Sequence, residues 1–292
     1  MDLDLRVLRY FVTVAEVGTY TAAAAALHIA TPSLSQQIRK LEQDVGVRLL
    51  DRDHRGARLT PAGAEVLEHA RRMLADQDRL LAVGRQRRRA ERNTLRVGFV
   101  PGMAGLRTRA LLDRVRAAAP EGAEVELTQI GWADQLDAVL DGRVDAMLAR
   151  PPLPKRPVRR ILLLTEPRVL VMAADHPLAR RDTLCLADLA DVLQVNTDGV
   201  DETWRAFWTL DPRPDGSRPR YGPMVHSVVE MLEVCAATTA VGITAASIVD
   251  LYPRPDLAFR PIVDIAPTTV ELVVKDGPLA ALPAALVAAA TT

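Results

Sequence analysis

The sequence predicts an α/β protein in three parts: a winged helix-turn-helix in front, one long helix, and an α/β region behind it. Three observations predict this. Apolar residues recur at helical spacing through the first forty-odd positions and then give way to a short basic hairpin around Gly56. The stretch 62–92 contains no proline and holds two parallel apolar stripes. From Thr94 onward, strand-like runs alternate with helical ones, the pattern of a parallel sheet covered by helices. The 292 residues suffice for such an organisation, at roughly 150 residues per domain.

The first helix is set by Leu5, Leu8, Phe11, Val12 and Ala15, which share one face, and Gly18 is its expected stop. Thr19 or Thr21 can cap a second helix through the alanine run 22–26, whose thin profile lets another helix approach closely. Thr31 is expected to cap a third helix, with Pro32 in its first turn. Leu34, Ile38 and Leu41 form its buried stripe. The other face then carries Ser33, Ser35, Gln36, Gln37, Arg39 and Lys40, with acids only from Glu42 onward. Hydroxyl, amide and basic side chains of this kind suit base edges and phosphates in a major groove. Gly46 is the expected end of that helix, and the segment from Arg52 through Arg55 and Gly56 to Thr60 forms the basic hairpin.

In the long helix, Val66, Ala70, Met73, Gln77, Leu80 and Gly84 alternate spacings of four and three beside the heptad Leu67, Leu74 and Leu81. That face is wide for an isolated helix and fits a paired one. Behind it, strands are expected at 95–100, 124–129, 144–148, 168–173 and 269–275. Helices are expected at 103–119, 132–140, near 187–190, at 202–210 and at 227–237. The alanine-rich end, 279–292, gives little support for a last helix.

Charge and composition narrow the function. Residues 1–92 carry 16 basic and 12 acidic side chains, net +4, and the remainder carry 21 and 25, net −4. A polyanion partner is therefore expected for the front end alone. Cys185 and Cys235 are too few for a disulfide framework or a four-ligand zinc site, and are expected to be small buried hydrophobes. His28, His54, His69, His176 and His226 show no metal-ligand spacing, and no nucleophile elbow, P-loop or dinucleotide fingerprint is present. No catalytic site, metal or cofactor is expected. No apolar run reaches the ~18 residues of a membrane span, and the acidic start lacks a secretory apolar segment. A cytoplasmic protein without a membrane partner is the expectation.

The runs 8–16, 18–21, 24–27, 32–35, 37–42 and 46–50, followed by Arg52 and 55–63, closely resemble LysR-type transcriptional regulators over about sixty residues. The resemblance implies a sequence-specific DNA-binding regulator, not an enzyme, with a DNA-binding domain at 1–60, a linker and dimerisation helix at 61–92 and an effector domain at 93–292. It implies that Thr31, Pro32, Ser33, Ser35, Gln36, Gln37, Arg39 and Lys40 lie near DNA and that Arg52 and Arg55 belong to the wing. Ala30, Thr31 and Gln36 stand where the family usually has serine, glutamine and a basic residue. Glutamine at 36 favours adenine where arginine favours guanine.

The effector domain would resemble type 2 periplasmic binding proteins, with lobe I at 93–163 and 267–292 and lobe II at 164–266. A small-molecule effector of unknown identity would bind between the lobes. Such ligands sit at strand C-termini, which nominates Pro101, Gly102 and Met103; Gly131 and Trp132; Asn196, Thr197 and Asp198; and His226 with Ser227. Gly102 and Gly131 occupy places where the family often has hydroxyl donors for a carboxylate. An effector with an apolar or aromatic part, and at most a weakly held anionic group, is therefore expected. The expected partners are double-stranded DNA bearing an interrupted inverted repeat in a promoter, the effector, and further copies of the chain as homodimer or homotetramer. RNA polymerase is a further candidate. The alternative from another class is a small-molecule-binding protein or enzyme with an incidental helix-turn-helix.

Overall fold

The front helices follow from their caps and stripes. In the computed structural model, which describes residues 3–53, 56–101, 107–119 and 121–291, α1 (Leu5–Val17) starts at Asp4, whose carboxylate accepts the Arg6 N–H. It ends at Gly18, which takes φ 78° and donates its N–H to the Val14 carbonyl; a side chain there would strain the left-handed turn. Thr19 caps α2 (Tyr20–Ala26) through Ala22 N–H. Ala23 and Ala24 are buried with Phe11, Leu34, Ile38 and Leu41, so the alanine run brings three helices together.

The cap of α3 (Thr31–Val45) differs from expectation. Ala30 is the N-cap, with extended backbone and no side-chain bond, and Thr31 is already helical. Pro32 still falls in the first turn, where its missing N–H has no intrahelical partner to lose. The wing is the antiparallel pair β1 (Leu50–Asp53) and β2 (Gly56–Leu59), with Asp51 opposite Arg58 and Arg52 opposite Ala57. Two tethers hold it. Glu42 accepts the N–H groups of Leu49 and Leu50 at 2.9 and 3.1 Å, and Ala57 N–H donates to the Gly18 carbonyl. A single helix, α4 (Pro61–Glu91), follows. A Cβ on Gly63 would lie 2.0 Å from the Leu49 carbonyl oxygen, so only glycine lets this helix start against the wing.

The chain divides into two compact units, Met1–Val83 and Gly84–Thr292. In the second, a five-stranded sheet contains β3 (Thr94–Phe99), β4 (Glu124–Gln129), β5 (Ala146–Ala149), β6 (Val158–Glu166) and a late strand, β12 (Thr268–Lys275). Their order is β4-β3-β5-β12-β6, with β3 parallel to β4 and β5, and β12 antiparallel to β5 and β6. β12 lies between strands formed much earlier in the chain, so the chain leaves this lobe after β6 and returns to it. The second lobe holds β7 (Arg168–Ala173) between β10 (Gly242–Ala245) and β11 (Leu257–Pro261), all antiparallel, and the parallel pair β8 (Leu193–Asn196) and β9 (Arg220–Met224).

Several helices are shorter than their sequence pattern. α6 is Gln135–Leu140 rather than 132–140, while α5 is described over Arg107–Ala118, its expected start at 103–106 lying outside the described residues. The segment near 187–190 is a single 3-10 turn, Leu186–Leu189. The second lobe's helices are α7 (Glu202–Thr209), α8 (Val228–Ala237) and α9 (Ile248–Leu251). The alanine-rich end does form a helix, α10 (Ala281–Thr291), with Leu282, Leu286 and Ala289 buried in the first lobe's core. The correction has a simple cause: alanine has high helix propensity, and the spacing of those three residues gives one apolar line even without polar residues opposite.

Candidate DNA face and interlobe cavity

α3 is anchored by Leu34, Ile38 and Leu41, and this fixes what the opposite face presents. Pro32, Ser33, Gln36, Arg39 and Lys40 are exposed, while Thr31, Ser35 and Gln37 are half-buried at the flanks. The carboxylate closest in sequence, Glu42, is turned to the wing's base and spent on two backbone N–H groups. The face is therefore short, polar and basic, with donors at its centre. In the wing, Arg52 lies on β1; its side chain and all of Arg55 lie outside the described residues. Arg58, exposed on β2, adds a cation that the site nomination left out; strand alternation in the hairpin is the signal that places it outward.

The second site is a cavity of about 60 Å³ between the lobes of the second unit. Pro101, Trp132, Asn196 and Thr197 line it. Gly131, Asp198, His226 and Ser227 do not. Asp198 and His226 pair with each other at the surface, 3.0 Å apart, and Ser227 caps α8 by accepting Glu230 N–H. Gly102 and Met103 lie outside the described residues.

Sequence reasoning missed the residues that give the cavity its character. Trp204 and Trp208 sit one turn apart on α7 and join Trp132 in a chain of rings, with centroids 5.2 and 5.9 Å apart. Every tryptophan of the chain is thus in the lining, in a protein with only 4% aromatic residues; that concentration was a readable signal. Arg150 was also missed. It follows β5 with its side chain only 8% exposed, and donates from Nη1 to Glu166 Oε1 at 3.0 Å and from Nη2 to Ser247 Oγ at 3.4 Å. Burial pulls the Arg150 guanidinium below its ordinary pKa, opposed by Glu166. Its carbonyl accepts the Trp204 indole N–H at 3.2 Å, and its own N–H donates to Gln135 Oε1 at 2.7 Å. Arg150 thereby ties the first lobe to α7 and to the start of α9. Among the described residues, no cluster of His, Cys, Asp or Glu could hold a metal ion, and no helix is long and apolar enough to cross a membrane.

Comparison with known proteins adds family evidence. Residues 5–64 match the family described as bacterial regulatory helix-turn-helix protein, lysR family, and residues 88–291 match the LysR substrate binding domain. The Hca operon transcriptional activator HcaR of Escherichia coli is 37% identical over 198 residues, covering 68% of this chain and 66% of HcaR. The regulator BenM of Acinetobacter baylyi is 36% identical over 177 residues, covering 60% of this chain and 57% of BenM. The chain thus spans less than two thirds of the length of either relative in these matches. Among solved structures, full-length CbnR complexed with its target DNA is 28% identical, covers 99% of both chains and has a TM-score of 0.55. Full-length BenM is 25% identical, covers 99% of this chain and 96% of that one, and has a TM-score of 0.56.

Proposed function

The chain belongs to the LysR family of transcriptional regulators, and from that premise we propose that it binds promoter DNA as a paired molecule and answers to a small molecule held between its two α/β lobes. The carrying observation is the exposed face of α3, which presents Ser33, Gln36, Arg39 and Lys40 and has its nearest carboxylate, Glu42, turned away to the wing. A solvated helix face has no need to exclude acids in this way; a face set against phosphates does. CbnR, solved on its target DNA, supports the same role for this end of the chain.

In this reading, residues 1–60 are the DNA-binding domain, 61–92 the pairing helix and 93–292 the effector domain. Pairing is supported by α4, where Met73, Leu80, Leu81 and Val83 are 41, 74, 51 and 52% exposed. Four large apolar side chains along one helix in water favour a second copy. Two recognition helices about 34 Å apart would read the two halves of an inverted repeat. Effector binding alters regulation only if the ligand prefers one lobe or subunit arrangement over another. The cavity supports that requirement, since its lining draws on both lobes.

A mobility-shift titration on the DNA upstream of the chain's own gene tests the proposal. Binding should weaken steeply as salt rises, because each neutralised phosphate releases counterions. Absence of a shift in dilute buffer refutes it.

A further inference from the structure

The interlobe cavity is electrically closed on itself, and we propose that its ligand is an uncharged, flat aromatic molecule. The inference rests on the reading of this cavity as the effector site and adds the ligand's chemical class.

Two observations carry it. The first is the tryptophan chain. Trp132, Trp204 and Trp208 line one small cavity with successive ring centroids under 6 Å apart, alongside apolar side chains such as Met231 and Ile243. A planar π-system is the shape that such a wall receives with the most contact.

The second is charge. Arg150 is the one charged side chain in the described lining, and Glu166 neutralises it from 3.0 Å. The three second-lobe helices that contribute to the lining each have a carboxylate of the chain itself at or beside their first turn. Asp201 accepts the Thr203 and Trp204 N–H groups at the start of α7. Glu230 accepts His226 N–H at 2.7 Å beside the start of α8, and Glu166 accepts Ser247 N–H at 2.6 Å ahead of α9. Thr197 N–H, at the end of β8, is taken by Asn196 Oδ1. The starts of these second-lobe helices, the kind of place that holds anions in other proteins, thus already have a carboxylate at or beside them. Among the described residues, a ligand carboxylate would lose its water and find no uncompensated positive charge, which is costly.

The chain's own indoles report the test. Benzamide, benzoate and toluene are titrated into the full-length protein at neutral pH while indole emission is followed. Benzamide should give a saturable change with a dissociation constant at least about tenfold below that of benzoate, about 1.4 kcal/mol. Benzoate binding as tightly as benzamide overturns the uncharged class while leaving the cavity as the effector site. No saturable change with any probe overturns the aromatic class. A mobility shift on the same preparation keeps these failures separate from failure of the regulator reading.

Discussion

Arg52 and the polar residues of α3 make opposite predictions, because phosphate contacts position a protein and base contacts specify its sequence. Arg52→Ala should weaken binding to all duplexes alike and lower the salt slope by about 1. Gln37→Ala or Ser35→Ala should change which sequence is preferred, read by competition between duplexes. A sequence-selective effect of Arg52→Ala would misplace the wing. The α3 face was legible in the sequence because residue type and helical position alone decide what it shows. Trp204, Trp208 and Arg150 were not, because they meet Trp132 only once two lobes are assembled. Cys235 offers a pH test at the same scale. It is fully buried, and burial pushes its thiol up to about 12. The folded state therefore keeps this thiol protonated where an unfolded chain ionises it, above about 8.5. Stability linked to Cys235 is complete below that pH and falls as pH rises from there towards 12. At mildly alkaline pH an alkylating reagent should label the half-buried Cys185 in the native protein and both thiols only after denaturation. Native labelling of Cys235 would contradict its burial.

At the scale of elements, α4 and α10 show what periodicity can and cannot tell. The stripe on α4 is visible in the sequence because apolar residues recur against a charged background, and its exposure in a single chain is what pairing would relieve. Leu80→Glu with Leu81→Glu should leave the helix content unchanged by circular dichroism, convert the protein to a monomer by light scattering, and weaken DNA binding together with it. An unchanged oligomeric state would remove α4 from the interface. α10 was obscure for the opposite reason. In a segment made almost wholly of alanine, leucine and valine there is no polar face to set the phase, and only the packed core shows that Leu282 and Leu286 point inward. Leu286→Ala should cost about 2–5 kcal/mol in denaturant unfolding, as deletion of a fully buried leucine does elsewhere. A loss within error of zero would mean that the helix is not docked.

For the molecule as a whole, the order of strands was only partly legible. The alternating run 94–149 announced a parallel sheet and the strand at 269–275 a return to the first lobe, whereas the antiparallel place of β12 between β5 and β6 is set only when the sheet assembles. The group Arg150, Glu166 and Ser247 sits at the junction this creates, joining the end of β5, the end of β6 and the start of α9. Glu166→Gln would leave a buried guanidinium without its counter-charge and should destabilise the protein by about 3–5 kcal/mol. Unfolding midpoints of the two proteins check it. The central claim concerns the other end of the chain: α3 enters a DNA groove, and a second copy holds it there. Footprinting on the DNA upstream of its own gene tests that most directly. The account predicts two protected half-sites with centres about one helical turn apart, both lost in the Leu80→Glu, Leu81→Glu protein. A single protected patch that survives those substitutions, or no protection in dilute buffer, would contradict it.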